Sequence, residues 1–318
     1  MDPLDPPSTE FVRAEPHLGG MVVSAVGYRT RNTPPALHGT RNTPPTLHGT
    51  RDAPPTLHRG LPSPYLTLVF SLDGPVTAGR TPTEATGSAP TRTDIVVGGL
   101  HQTPAYLLQP ERESGIQLAV HPLAARALLG LPAAELAAQL VTSGADVLGP
   151  AATEVRDRLR ELTTWEDRFE LLTAYLRRRA ATAENEKGAR TADVRPEVTE
   201  AWTWLARHRG TGTLRGLAAH VALSERRLGT LFRAETGLTP KQAARLMRFQ
   251  HARSAVVRAV AADAPPDLSR VAADCGYYDH SHLVRDFRQY TGLSPSGWLA
   301  EECRNIQAGG NRYGEEWE

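Results

Sequence analysis

Cysteine is almost absent from this sequence. Only Cys275 and Cys303 occur in 318 residues, and they form no CxxC pair or Cys/His cluster. A disulfide framework and a zinc finger are therefore not predicted. No apolar run approaches the roughly 18–20 residues that a membrane helix needs, and the N-terminus is acidic and Pro-rich where a signal peptide would be basic and then apolar. These absences predict a cytoplasmic protein without a membrane segment.

Lysine is also scarce, since Lys187 and Lys241 are the only two in the chain. The positive charge is therefore almost all arginine. The formal net charge is only +1, but residues 191–300 hold 15 Lys/Arg against 10 Asp/Glu, a net of +5. A basic C-terminal third is consistent with a polyanionic partner and equally with an ordinary solvated surface.

The pattern of apolar residues changes twice along the chain. Short apolar runs broken by Gly, Pro, Ser and Thr predict strands in residues 20–121, and Ala/Leu-rich segments with helical spacing predict helices in 122–181. The predicted fold is α+β with two domains, the first β-rich and barrel-like with trailing helices. The predicted divisions are an N-terminal domain over 1–181, a linker over 182–196, an all-α domain of about seven helices over 197–303 and a flexible tail over 304–318.

A ten-residue unit is written three times in residues 30–59, as TRNTPPALHG, TRNTPPTLHG and TRDAPPTLHR. Each copy has a Pro-Pro pair and a single leucine, so it has neither helical nor strand periodicity and predicts an exposed polyproline-like loop. The histidines His38, His48 and His58 recur without another ligand type nearby, which does not favour a metal site. Replication slippage within a tolerant loop is the preferred interpretation.

A second internal repeat relates residues 214–240 to residues 268–295. At an offset of 54, Leu214, Leu217, Ala218, Ala219 and Val221 correspond to Leu268, Val271, Ala272, Ala273 and Cys275. At an offset of 55, Leu228, Phe232, Gly237 and Pro240 correspond to Leu283, Phe287, Gly292 and Pro295. One extra residue therefore enters between the halves of the second copy.

Both copies predict a short helix, a tight turn and a second helix. The second helix begins at a capping residue, Ser224 or Asp279, and ends at Gly237 or Gly292. The next helix then starts with an N-cap followed by proline, at Thr239-Pro240 or Ser294-Pro295. A single helical hairpin of this kind is common in proteins, but two with the same signals, joined by the helical pattern of 240–262, predict a double helix-turn-helix.

The segments GLTPKQAARLMRFQHAR and CGYYDHSHLVRDFRQYTGLSPSGW resemble the AraC family of bacterial transcription regulators. The resemblance covers about 195–303. It implies a seven-helix DNA-binding domain whose two recognition helices enter two successive major-groove segments. It also implies that the N-terminal domain senses an effector or mediates dimerisation. One departure is Ala222, where the family usually has glycine in the first turn.

The resemblance implies the following DNA contacts. Bases would be read by Arg226, Arg227, Gly229 and Thr230 of the first recognition helix and by His280, Ser281, His282 and Arg285 of the second. Arg226 and Arg285 are the main candidates because arginine binds guanine bidentately. Phosphates would be bound by Ser224, Arg233, Lys241, Arg245 and Arg288. Taken singly, each of these cations could equally be a solvated surface charge.

The alternatives concern the N-terminal domain. A cupin-type metal enzyme needs a close HxH and a downstream Glu on strands, but His101 and His121 lie twenty residues apart and Glu111 and Glu113 fall in a polar turn. No catalysis, cofactor or metal is therefore predicted.

Two alternatives stay open: a ligand-binding or catalytic barrel with an accessory DNA-binding domain, and a non-specific architectural DNA-binding protein. The expected partners are operator DNA, a small-molecule effector, RNA polymerase and a second copy of the chain.

Overall fold

The computed structural model describes residues 10–15, 18–31, 57–137, 139–185, 193–262 and 264–307. Within these ranges the N-terminal part contains two β-sheets followed by helices, and the C-terminal part is entirely helical. The predicted α+β architecture with two domains is confirmed.

The strands form two antiparallel sheets. In chain order they are β1 (Glu10–Ala14), β2 (Val22–Arg31), β3 (Leu57–Gly60), β4 (Leu66–Ser71), β5 (Val76–Gly79), β6 (Thr91–Thr93), β7 (Ile95–Gly98), β8 (Ala105–Leu108), β9 (Arg112–Val120) and β10 (Thr142–Ser143). One sheet has the order β1-β2-β9-β4-β7-β10 and the other the order β3-β8-β5-β6. Leu66, Leu68 and Phe70 alternate along β4 and are buried, as the period of two in a strand requires.

Helices cover one side of the larger sheet. They are α2 (Ala125–Leu129), α3 (Gly144–Leu148), α4 (Pro150–Glu161) and α5 (Trp165–Asn185), with short 3₁₀ turns at Pro122–Ala124 and Ala133–Leu136. The short helix α1 (Pro82–Thr86) packs instead against β5 and β8 of the smaller sheet. The α5 helix lies so close to β2 that a Cβ on Gly27 would fall 2.5 Å from the Trp165 ring. Glycine is therefore required at the point where this helix crosses the sheet.

The triplicate is not loop throughout. Thr30 and Arg31 end β2, where they pair with Glu113 and Arg112, and residues 57–59 begin β3. The interpretation of residues 30–59 as exposed loop is wrong at both ends, because neighbouring strands satisfy the backbone there. His58 lies in β3, while His38 and His48 lie outside the described residues.

Three predicted boundaries also change. The α5 helix continues to Asn185, so residues 182–185 are helical and do not belong to a linker. The last predicted linker residue, Pro196, is the first residue of the next helix, where proline needs no hydrogen-bond partner for its nitrogen. The last helix runs to Gln307, four residues into the predicted tail, and residues 308–318 of that tail lie outside the described part.

Seven helices lie within the described residues 193–262 and 264–307 of the C-terminal domain, as predicted. They are α6 (Pro196–Arg207), α7 (Leu214–His220), α8 (Glu225–Thr236), α9 (Pro240–Ala261), α10 (Leu268–Asp274), α11 (His280–Thr291) and α12 (Pro295–Gln307). The pairs α7–α8 and α10–α11 form the two helix-turn-helix motifs, and α9 joins them. Leu228 and Phe232 of α8, and Leu283 and Phe287 of α11, are fully buried.

The capping signals read from the sequence act as predicted. Ser224 Oγ accepts the backbone N–H of Arg227 at 3.2 Å, and Asp279 Oδ1 accepts that of His282 at 2.7 Å. Gly237 ends α8 with φ of 78°, and Gly292 ends α11 with φ of 77°. Each recognition helix is thus fixed at both ends by its own sequence.

The turn of the first motif carries strain that the second avoids. Ala222 has φ of 54°, a left-handed conformation that costs a residue with a Cβ about 1 kcal/mol, whereas the second turn has Gly276 at φ of 70°. We expect Ala222→Gly to stabilise the protein by about 0.5 kcal/mol, because glycine loses some of the gain as chain entropy. Urea unfolding followed by circular dichroism measures this change. Gly276→Ala is the reciprocal control and should destabilise, since its Cβ would lie 2.6 Å from Thr211 Cγ2.

Candidate nucleic-acid interface

The N-terminal half of α8 presents the first set of predicted base-reading residues to solvent. Arg226, Arg227 and Thr230 are exposed, while Leu228 between them is fully buried. The Thr230 hydroxyl donates to the carbonyl oxygen of Arg226 at 3.1 Å. A Cβ on Gly229 would meet no atom within 4 Å, so the surface between these side chains is open. This face can approach another molecule without displacing any part of the protein.

The N-terminal half of α11 presents the second set. His280, Ser281 and Arg285 are exposed, and Arg285 Nε donates to the carbonyl oxygen of Ser281 at 3.3 Å. His282 is half-buried, and its ring meets that of Tyr277 edge-on with centroids 5.1 Å apart. Both helices therefore direct polar and cationic side chains outward from their first two turns, which are the turns that contact bases in helix-turn-helix complexes.

Four of the five predicted phosphate contacts are exposed. They are Ser224 at the N-cap of α8, Arg233 in its last turn, Lys241 at the start of α9 and Arg288 on α11. The Ser224 hydroxyl is already an acceptor for the N-cap bond, but its proton stays available as a donor.

Arg245, the fifth, has another function. Its Nε and Nη2 donate to Asp286 Oδ1 at 3.0 and 2.6 Å, and Nη2 also donates to Gln289 Oε1 at 2.7 Å. The Asp286 side chain is 0% exposed and that of Arg245 is 34% exposed. Burial opposes the charge on Arg245, but the hydrogen bond and charge of Asp286 outweigh it and raise the pKa of the guanidinium. The guanidinium of Arg245 therefore holds α9 to α11, and its contact with a phosphate stays a prediction.

The connecting helix α9 fixes the two motifs relative to each other. Its Phe249 packs against Phe287 and Tyr290 of α11, with ring centroids 5.2 and 4.7 Å apart. Leu246 and Ala243 of the same helix are also fully buried. With 22 residues, α9 is roughly 33 Å long at 1.5 Å per residue. The two recognition helices are therefore carried by one continuous rigid element.

Residues 217–301 match the helix-turn-helix domain family, and this range holds the second motif, α9 and the first motif from Leu217 onward. The C-terminal domain is a helix-turn-helix domain of the AraC type. The resemblance inferred from the two quoted segments is confirmed for this domain.

Relatives of the AraC-type domain include the HTH-type transcriptional activator RhaR of Salmonella arizonae and that of Salmonella newport. Each is 35% identical over 75 residues, which is 24% of this chain and 25% of the relative. The chain thus spans about a quarter of the length of these relatives.

The chain is also similar to solved structures. ToxT from Vibrio cholerae O395 is 11% identical, covers 77% of this chain and 92% of its own, and superposes with a TM-score of 0.43. The DNA-binding domain of AdpA in complex with a target DNA is 25% identical, covers 34% of this chain and 95% of its own, and gives a TM-score of 0.30.

The N-terminal domain packs directly against the first recognition helix of the AraC-type domain. Arg126 of α2 donates from Nε and Nη2 to both carboxylate oxygens of Glu235, at 2.9, 3.1 and 3.0 Å. Glu235 lies in the last turn of α8, where the helix dipole disfavours a carboxylate, and it is 7% exposed. Arg126 therefore supplies the charge that allows this carboxylate to be buried.

The C-terminal ends of both recognition helices lie against the N-terminal domain. A Cβ on Gly237, after α8, would fall 2.5 Å from Ala137 Cβ, and one on Gly292, after α11, would fall 3.4 Å from the Tyr106 hydroxyl. Arg59 of β3 forms an ion pair with Glu301 of α12 beside the second of these contacts. The interface therefore holds both helices at the end opposite to their exposed side chains.

Sequence reasoning missed Arg126, Glu235 and Asp286. The two carboxylates could have been found in the sequence, because each acidic residue falls on a helix face that is otherwise apolar. Glu235 follows Leu228 and Phe232 at helical spacing, and Asp286 stands beside Phe287. A carboxylate at such a position requires a buried cationic partner, but the spacing does not say which one.

A large cavity lies between the two sheets. Its volume is about 1380 Å³, and residues of both sheets line it together with Gln250 and Arg253 of α9 and Glu301 and Glu302 of α12. The wall of the cavity is therefore completed by the AraC-type domain. Among the described residues no group of three His, Cys, Asp or Glu side chains is arranged to hold a metal ion, and no helix is long and apolar enough to cross a membrane.

His121 lies at the interface between the domains, next to Trp202 of α6 with ring centroids 5.8 Å apart. Burial disfavours the imidazolium and lowers the pKa of His121 to about 4. The unfolded chain, with a pKa near 6.5, then binds a proton that the folded chain does not bind between about pH 6.5 and 4. Stability is therefore full above this window and falls as the pH drops through it.

We expect the free energy of unfolding to fall by about 2 kcal/mol as the pH drops through this window, a value that allows for the partial exposure of the His121 ring. His121→Asn should reduce the loss, because asparagine keeps an acceptor for the Leu123 N–H that His121 Nδ1 now accepts at 3.3 Å. The measurement is the urea midpoint of both proteins at pH 7 and pH 5. His101, whose pKa burial also lowers, is present in both and cancels. Equal pH dependence of the two proteins would contradict the assignment to His121.

Proposed function

We propose that this protein is a sequence-specific transcription regulator whose monomer reads two successive major-groove segments of double-stranded DNA. The observation that carries the proposal is the pair of capped recognition helices, each with exposed polar and cationic side chains in its first two turns, on one connecting helix. At roughly 33 Å, α9 is about as long as one turn of B-DNA, about 34–36 Å. Its length therefore suits two groove segments on one face of the duplex.

The experiment is selection of binding fragments from genomic DNA by the full-length protein at near-physiological salt. We expect a shared sequence with two conserved blocks separated by about one helical turn, roughly 10–10.5 base pairs. A non-specific architectural protein would enrich no sequence, since its affinity would come from phosphate contacts alone. Diffuse enrichment would therefore decide against the proposal.

We also propose that a small-molecule effector binds between the two sheets and modulates DNA binding. This is supported by the large cavity, because Gln250 and Arg253 of the connecting helix form part of its wall. A thermal-shift screen of the full chain against metabolites tests it. A true effector should raise the melting temperature, change operator affinity and lose both effects in Ala119→Trp, which fills the cavity from β9. A ligand that stabilises both proteins equally would bind elsewhere.

In this proposal the chain acts in the cytoplasm, catalyses no reaction and contacts RNA polymerase. The contact with RNA polymerase is supported by the RhaR relatives, which are transcriptional activators. Transcription in vitro from a selected operator, with and without the protein, measures its effect on the polymerase. Light scattering with and without operator DNA tests whether the chain forms the expected homodimer.

A further inference from the structure

Tyr278 has no counterpart in the first helix-turn-helix motif. Leu223 corresponds to Tyr277 at the offset of 54, and Ser224 corresponds to Asp279 at the offset of 55. Tyr278 is therefore the residue that makes the second turn one residue longer. It stands directly before the N-cap of α11.

The inserted side chain is left in solvent. Tyr278 is 94% exposed, whereas its neighbour Tyr277 is 5% exposed, and in the described part of the chain the only other large hydrophobic side chain counted as exposed is Leu214, at 37%. Tyr278 makes no hydrogen bond and no ring contact within the described residues. Nothing in the part of the chain that the structure describes accounts for an aromatic residue at this position, so we look for its contact in another molecule.

The place of Tyr278 favours DNA as that contact. The N-terminal residues of a recognition helix enter the major groove, and helix N-termini are among the groups that contact phosphates in protein–DNA complexes. Exposed His280 and Ser281 follow it on the same end of α11. The intervening carboxylate of Asp279 is directed to the His282 N–H at 2.7 Å, which keeps it in the N-cap.

We propose that Tyr278 contacts the DNA backbone, with its ring against a deoxyribose and its hydroxyl donating to a phosphate oxygen, and so positions the N-terminus of α11 in the groove. The inference rests on the proposed function. Tyrosine hydroxyls are among the side-chain groups that bind phosphates in such complexes, and these contacts fix register without reading sequence. The longer second turn would then reach a phosphate that the shorter first turn does not reach.

A neutral contact leaves a distinctive signature. Replacing an arginine that neutralises a phosphate lowers both the affinity and its dependence on salt, because fewer counterions are released on binding. Replacing Tyr278 should lower the affinity alone. The loss should also be the same for the operator and for a random duplex, since no base is read.

The test measures dissociation constants of full-length Tyr278→Ala and Tyr278→Phe on an operator selected by the wild-type protein, at several salt concentrations. We expect Tyr278→Ala, which loses both the ring and the hydroxyl, to bind about tenfold more weakly than the wild type. Tyr278→Phe loses the hydroxyl alone and should bind about threefold more weakly. The slope of log affinity against log salt should not change. Leu214→Ala is the control for loss of an exposed apolar side chain and should stay within twofold.

The possible failures are distinguishable. If the wild-type protein selects no shared sequence, the proposed function itself fails. If an operator is found but Tyr278→Ala binds it within twofold of the wild type, the backbone contact is wrong. Unchanged affinity combined with loss of transcription would assign Tyr278 to a protein partner instead, and a changed preference at particular base pairs would make it a base-reading residue. Each of these results overturns the inference.

Discussion

Replacing Arg226 and Arg285 together by alanine should abolish the preference of the protein for its operator. Each arginine is exposed in the first turns of a recognition helix and can bind a guanine through two hydrogen bonds. Such a pair contributes roughly 1–3 kcal/mol of discrimination. The two residues lie on different helices, so their effects should add, and the combined loss of preference should be at least about thirtyfold.

The measurement compares operator and random duplex for the wild type, each single variant and the double variant. Arg158→Ala/Arg178→Ala is the matched control, because it removes the same charge from two exposed arginines of the N-terminal domain. The stability of both double variants should stay within about 0.5 kcal/mol of the wild type. A double variant that keeps its preference within threefold would show that other residues read the bases.

Arg245→Ala should destabilise the C-terminal domain by about 2–4 kcal/mol. The substitution leaves the fully buried carboxylate of Asp286 without its partner, and loss of one member of a buried ion pair typically costs about 3–5 kcal/mol. The lower range allows for the partial exposure of Arg245. Urea unfolding followed by helical circular dichroism measures the change in the free energy of unfolding.

Two further variants separate this function from the phosphate contact inferred from the sequence. Arg288→Ala, an exposed arginine on α11, should change stability by less than about 0.5 kcal/mol while it lowers the salt dependence of DNA binding. Arg245→Leu/Asp286→Leu removes both charges and should recover most of the lost stability. If Arg245→Ala were neutral for folding and reduced the salt slope, the original assignment to a phosphate would be supported.

Local signals predicted the local structure well. Ser224, Asp279, Gly237 and Gly292 act within one helical turn of their own positions, so the ends of both recognition helices could be read from the sequence. Arg245 and Arg288 could not be told apart in this way, because the partner of Arg245 lies 41 residues away. The partner of Arg126 is 109 residues away and in the other domain.

The prediction of an exposed loop over the whole of residues 30–59 failed for a similar reason. Thr30 and Arg31 of the first copy extend β2, and Leu57 to Arg59 of the last copy open β3. These residues stand at opposite ends of the ten-residue unit, and each set pairs with a neighbouring strand, β9 or β8. Their conformation is therefore set by pairing with distant parts of the chain, which the repeated sequence does not encode.

The contacts at Gly237 and Gly292 place the C-terminal ends of both recognition helices on one body, the N-terminal domain. Because α9 already fixes the two helices relative to each other, a shift of the N-terminal domain at these contacts would move them together. In the proposed function, such a shift would change how the pair as a whole is presented to DNA without changing the spacing of the two groove segments that it reads.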